Sequence, residues 1–229
     1  MTITSIRQPD GILFDLDGVI ADVTNSYRAC ITRTAADFGC VISLEDIDAA
    51  KRLGNANDDW ILTRDLLAKR GVSAVIEDVI QHFQEHYLGV PGRAGLCERE
   101  TLLIEPDLLR EVTRRYPSAI VTGRPRKDAR RFLQAYRIEE CFRYVVAMED
   151  APSKPSPDGI RLAMGELGLA NPWMIGDTPD DMNAAVAAGI TPIGVAASGL
   201  GYDKNRKVLL ASGAVVVISD TNDIQRLLN

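Results

Sequence analysis

The sequence predicts an α/β chain: a doubly wound parallel sheet with a mainly α-helical unit inserted after its first strand. Two patterns support this. Short apolar runs recur, each ending in polar residues and followed by a segment of helical spacing. Between about Val23 and Cys97 that rhythm gives way to consecutive helical patterns. Strands alternating with helices imply a parallel sheet covered on both faces, and runs this short and apolar suit strands buried on both sides.

The strand candidates are residues 11–14, 118–121, 144–146, 173–175, 193–195 and 214–218. Helical patterns separate them at 107–115, 127–136, 158–167 and 180–188, the last followed by Gly189 as a stop. The inserted stretch reads as four helices, at 25–38, 44–53, 58–69 and 74–87, with Gly89-Val-Pro-Gly92 marking its far end. The expected division is therefore an α/β core of residues 1–22 and 98–229 and a helical cap of residues 23–97.

With 229 residues, 46% of them hydrophobic, the chain can bury a substantial core without disulfides or a structural metal. Its net charge of -6 argues against nonspecific binding to nucleic acid or anionic lipid, so neither is expected as a partner. Cys30, Cys40, Cys97 and Cys141 form no Cys-x-x-Cys pair and read as small packed hydrophobes in a reducing compartment. The first nine residues lack the apolar stretch of a signal peptide, and no run approaches membrane-spanning length. A cytoplasmic location is expected.

Parallel sheets bind ligands beyond the carboxyl ends of their strands. Asp15-Leu16-Asp17-Gly18 lies where the first strand runs out, and alternation sends Asp15 and Asp17 toward one side. Two carboxylates this close repel, so either one holds a proton or a cation lies between them. Mg²⁺ suits an all-oxygen site, and Asp177 and Asp181 after the 173–175 strand are the further anions. Thr122-Gly123-Arg124 ends the second strand with a hydroxyl, a backbone amide and a guanidinium, all donors to phosphate. Lys154, held in a turn by Pro155 and Pro157, adds a point charge. Singly, each has a structural alternative: Asp-Gly is a common turn pair, Lys154 could be a solvated loop residue, and Asp180 or Asp181 favours a helix N-terminus. Together and in this order they point to phosphoryl chemistry.

These residues resemble the four ordered motifs of the haloacid dehalogenase superfamily. The first is Asp15-Leu-Asp17-Gly18-Val-Ile-Ala-Asp22, the second Thr122, the third Lys154-Pro155, and the fourth Gly176-Asp177 with Asp181. The resemblance covers almost the whole chain and implies a Rossmann-like core. The insertion resembles the helical cap of the subfamily that includes phosphoglycolate phosphatases. Val23 departs from the Ser or Thr many relatives carry after the residue matching Asp22.

The resemblance implies that Asp15 is the nucleophile, forming an aspartyl-phosphate, and that Asp17 is the acid and base. Thr122, the Gly123 amide and Lys154 would hold the phosphoryl oxygens. Mg²⁺ would be held by Asp15, the Asp17 carbonyl and Asp177, with Asp181 as ligand or support. Relatives that cleave carbon–halogen or carbon–phosphorus bonds lack an aspartate matching Asp17, so the resemblance favours phosphoesters.

The expected activity is Mg²⁺-dependent hydrolysis of a small phosphorylated metabolite. The alternatives are a sugar phosphomutase of the same superfamily and a noncatalytic phosphometabolite-binding module. In the cap, Lys51, Asn55 and Asn57 crowd a glycine-containing loop and are candidate substrate contacts; the competing reading is a solvated turn with Asn57 or Asp58 as N-cap. Arg124 is a candidate from the core side, unless it pairs with a surface carboxylate. The cap composition vaguely resembles a small clade associated with histidine-biosynthesis enzymes. His82-Phe-Gln-Glu85-His86 fits the His-x-x-Glu-His pattern of some zinc peptidases, but no third ligand is apparent, and a solvated or packed helical face is expected.

Overall fold

The computed structural model describes residues 6–199 and 201–228. Strand β1 (Ile12–Phe14) leads through a tight turn to the short strand β2 (Ala21–Asp22). Helices α1 (Tyr27–Asp37), α2 (Leu44–Leu53), α3 (Asp59–Lys69) and α4 (Ile76–Leu88) follow. Next come a hairpin of β3 (Gly89–Val90) and β4 (Arg93–Ala94), a 3-10 turn at Leu96–Arg99 and β5 (Thr101–Leu102). Strands and helices then alternate as α5 (Pro106–Arg115), β6 (Ser118–Val121), α6 (Arg126–Ala135), β7 (Tyr144–Val146), α7 (Asp158–Leu167), β8 (Trp173–Gly176), α8 (Pro179–Ala188) and β9 (Thr191–Val195). The chain continues through α9 (Tyr202–Ala211), β10 (Val216–Ile218) and α10 (Ile224–Leu228).

Six strands form one parallel sheet in the order β10-β9-β8-β1-β6-β7. Strand β1 is central: Ile12 pairs with both Ser118 and Trp173, and Phe14 with both Ile120 and Ile175. The chain moves outward from β1 through β6 to β7, then returns to β1's other flank as β8. The carboxyl ends of β1, β6 and β8 thus surround the point where the winding reverses, the place such sheets reserve for ligands. All three β1 side chains are fully buried. Leu13, Ala119, Val121 and Met174 pack with Ile160 and Ala163 of α7 and Ala184 and Ala185 of α8 in one apolar cluster. Small residues on α8 let its backbone lie close to the sheet.

The contacts divide the chain into two compact units, one of Asp22–Thr101 and the other of the flanking segments through Ala21 and from Leu102 onward. The helical unit therefore runs four residues past the expected end at Cys97. Leu96 belongs to its core, and Ser26 Oγ donates to buried Glu100 Oε1 at 2.8 Å, tying the returning segment to the start of α1. The Gly-Pro-Gly cluster turns the β3–β4 hairpin inside this unit. Tyr27 meets Phe83 and Tyr87 edge-on, with centroids 5.4 and 4.7 Å apart, and all three are buried. Ser43 and Asp46 close a capping box on α2, and Asp58 caps α3. Among the described residues, no helix is long and apolar enough to cross a membrane.

Separate cores predict separate responses to core damage. Phe83→Ala should cost the helical unit about 3 kcal/mol or more. Hydrogen exchange should quicken in α1, α3 and α4 while β1, β6 and β8 keep their protection.

Candidate active site

The motif residues of the α/β unit converge beyond the strand ends. Asp15 directly follows β1, and its N–H still donates to Ile175 O of β8 at 2.9 Å, so the ladder itself sets its position. Beyond it the chain turns sharply: Gly18 N–H donates to Ala21 O, and Ala21 N–H to Leu16 O. Gly18 has φ +72°, and a Cβ there would lie 2.0 Å from Asp177 Oδ2. Glycine is required twice over, for the left-handed backbone and for the approach of the Asp177 carboxylate. Gly176 is similarly constrained, because a Cβ on it would meet the Asp181 Cβ at 2.2 Å.

Thr122 follows β6, its N–H donating to Val146 O at 2.9 Å. Its Oγ1 accepts the Arg124 N–H at 3.1 Å, which leaves the hydroxyl proton to donate elsewhere. Gly123, beside it, is half-buried. Lys154 arrives from the loop after β7 and is almost fully enclosed. Its Nζ donates to Asp15 Oδ1 at 2.8 Å, to Val121 O at 3.0 Å and to Asp181 Oδ1 at 2.5 Å. An ammonium has three protons, and here each has an acceptor.

Asp181 is fully buried and lies in the first turn of α8. Its Oδ2 accepts from the Thr178 N–H at 3.0 Å and hydroxyl at 2.6 Å, while Thr178 Oγ1 accepts the Asp181 N–H. This is a capping box, and with Lys154 on Oδ1 both Asp181 oxygens are engaged. Thr178 was not among the residues expected at the site, although Thr178-Pro-Asp-Asp181 is a readable cap signature.

Asp15, Asp177 and Asp181 place carboxylate oxygens within 4.8 Å of one another, and they are the group of this kind found among the described residues. Lys154 bonds two of the three, Asp15 and Asp181. Burial is the largest influence on Asp15 and pushes its carboxyl well above the usual carboxylate range; Lys154 opposes this, while Asp181, Asp17 and Asp177 add to it. Burial works against the Lys154 charge, but Asp15 and Asp181 outweigh it and hold the ammonium above the ordinary lysine range. Both directions describe a site short of positive charge. An all-oxygen donor set with that deficit fits Mg²⁺.

Arg124, a candidate from the core side, does not pair with a carboxylate as a surface residue would. Its side chain is 0% exposed, and Nε donates to Asp17 Oδ1 at 2.6 Å. In the helical unit, Lys51 pairs with Asp59 at 2.8 Å, Asn55 takes a left-handed backbone with φ 56°, and Asn57 Nδ2 is buried without a hydrogen-bond partner. His82 Nδ1 and His86 Nε2 both meet Asp37 Oδ2, at 3.1 and 2.7 Å, an arrangement of a packed helical face.

Removing the Lys154 charge should leave Asp15 and Asp181 buried without their counterion. Lys154→Met is expected to cost about 3 kcal/mol or more in thermal or denaturant unfolding, beyond what one surface ion pair contributes.

A family model for haloacid dehalogenase-like hydrolases matches residues 12–195. An imidazoleglycerol-phosphate dehydratase from Phytophthora nicotianae is 46% identical over 192 residues, covering 80% of this chain but only 42% of that protein. A phosphoglycolate phosphatase from Pseudomonas syringae pv. syringae is 25% identical over 231 residues, covering 97% of this chain and 79% of that protein. Among solved structures, a hydrolase from Pseudomonas syringae superposes with TM-score 0.76 at 21% identity, covering 96% of this chain and 97% of the other. A predicted phosphoglycolate phosphatase from Haemophilus somnus 129PT gives TM-score 0.75 at 20% identity, covering 98% and 100%. The matched span holds every motif residue gathered around Lys154, and the chain belongs to the haloacid dehalogenase-like hydrolases.

Proposed function

We propose that this chain is a Mg²⁺-dependent phosphatase of small phosphorylated metabolites, working through a phosphoryl group held transiently on Asp15. The observation that carries this reading is the buried Asp15 carboxylate at the end of β1, oriented by Lys154 and crowded by Asp177 and Asp181. A capped turn needs no such convergence of charge.

In this reading Lys154 fixes one Asp15 oxygen and, with Mg²⁺, would oppose the burial that favours its protonated form, leaving the carboxylate to attack phosphorus. The Thr122 hydroxyl and the Gly123 N–H donate to phosphoryl oxygens, and Lys154 adds its charge beside them. Mg²⁺, bound by Asp15, Asp177 and the Asp17 carbonyl, would supply charge against the phosphoryl oxygens. Asp181, with both oxygens engaged, supports Lys154 rather than acting as a direct ligand. Asp17 carries protons: one to the leaving oxygen as the Asp15–phosphorus bond forms, then one taken from the water that breaks that bond.

The helical unit selects the substrate in this proposal, with Lys51, Asn55 and Asn57 as specificity residues. The buried, unpartnered Asn57 Nδ2 is the feature that most favours a ligand there, because native proteins rarely leave such donors unmet. The Phytophthora relative supports one substrate class to be tried first. More than half of that protein lies outside the match, so its dehydratase name is not carried over to this chain. Its named compound is nevertheless a phosphomonoester, and loss of water leaves the phosphoester intact for a later hydrolysis. Imidazole-bearing phosphomonoesters are therefore the first class proposed, ahead of phosphoglycolate.

A panel containing imidazoleglycerol phosphate, phosphoglycolate and hexose phosphates tests this. Phosphate release should require Mg²⁺, stop with chelator, and fall by about 10³-fold or more in Asp15→Asn. Isomerised hexose phosphate with little free phosphate would replace the hydrolase reading with a mutase. Independently of activity, millimolar Mg²⁺ should raise the melting temperature of the resting protein. Asp177→Asn should abolish that rise.

A further inference from the structure

We infer that Arg124 is a positioning residue for proton transfer, holding Asp17 by one oxygen so that the other faces the ester oxygen and then the attacking water. The inference rests on the phosphatase reading above.

The two carboxylates of Asp15-Leu16-Asp17 are met by different cations. Lys154 takes Asp15, and Arg124 takes Asp17 through a single contact from Nε to Oδ1 at 2.6 Å. The pair is asymmetric in exposure: the Arg124 side chain is 0% exposed and that of Asp17 26%. A guanidinium stays charged, so burying one is costly unless its place and partner are built in. Here its backbone is pinned from both sides. The Arg124 N–H donates to Thr122 Oγ1 at 3.1 Å, and its carbonyl accepts from the Met148 N–H at 3.0 Å. The guanidinium carbon lies 5.5 Å from the centre of the buried Phe132 ring on α6. The arginine is thus the fixed member, and the more exposed aspartate takes its orientation from it.

That orientation matters at two moments. As Asp15 bonds to phosphorus, the phosphorus–ester bond breaks, its electron pair stays on the leaving oxygen, and the Asp17 proton neutralises that oxygen. Asp17 is then a carboxylate beside a fixed cation. It next takes a proton from water as the water oxygen bonds to phosphorus and the Asp15–phosphorus bond breaks. Free rotation of Asp17 between these steps would cost geometry in both. A contact on Oδ1 alone restrains the side chain without occupying Oδ2.

General-acid assistance matters most when the leaving group is basic. Arg124→Met, Arg124→Lys and Asp17→Asn should therefore be compared with wild type on glycerol phosphate, an alkyl ester, and p-nitrophenyl phosphate, whose leaving group needs no proton. Arg124→Met is expected to lose about 100-fold in kcat/KM, which reports the step that expels the leaving group, on the alkyl ester and less than about tenfold on the aryl ester, in the same sense as Asp17→Asn. Arg124→Lys, which keeps the charge but not the Nε geometry, should show a smaller change in the same ratio. Equal loss of kcat/KM on both esters would overturn the inference, because a purely structural role lowers the amount of competent enzyme without changing the ratio. It would leave the phosphatase reading standing. Failure of wild type to release phosphate from either ester under Mg²⁺ would overturn that reading, and this inference with it.

Discussion

The structure of the site depends on one ammonium group. Lys154 Nζ ties together the end of β1 through Asp15, the end of β6 through the Val121 carbonyl, and the first turn of α8 through Asp181. These are three separate elements of the α/β unit, and each presents an acceptor that is expensive to bury alone. A charged group in a dry interior is tolerated only when its full hydrogen-bonding capacity is used. The three protons of Lys154 meet that condition, so the lysine can be buried, and the strand ends are held in register around it.

The same contact sits in a region rich in negative charge. Lys154 neutralises one unit of a region containing Asp15, Asp177 and Asp181. Gly18 and Gly176 bring the remaining carboxylates closer than any side chain at those positions would permit. Crowding of this kind is unfavourable in a resting fold and useful in one that binds a divalent cation and a phosphoryl group. The congestion is built by steric allowance at two glycines and by the capping box that immobilises Asp181.

Arg124 complements this arrangement on the neighbouring carboxylate. Asp15 and Asp17 follow β1 two residues apart, and without distinct partners they would be interchangeable anions. A lysine on one and an arginine on the other gives them different surroundings. One is enclosed and meets the buried lysine, and the other is partly exposed and meets the arginine. Differentiated environments are what allow two adjacent carboxylates to perform different tasks.

The sequence alone determined the alternation of buried strands and helices, because local apolar periodicity and Gly or Asx punctuation carry that information. Residues 118–121, 144–146 and 158–167 could be bounded correctly from these signals. It was less informative where local pattern was weak. Helix α9 buries only Leu209 deeply, and β9 begins at Thr191, ahead of its apolar run, because pairing with β8 extends it. The motif residues were legible since their side-chain chemistry sits at strand ends, where a parallel sheet collects ligands. Their partners were not. That Lys154 binds Asp181, that Arg124 turns inward to Asp17, and that His82 and His86 share Asp37 are contacts across 27, 107, and 45 and 49 residues of chain. Such distant pairings are decided by packing, which sets the burial that makes each charge seek a partner; only the tertiary structure determines which one it finds.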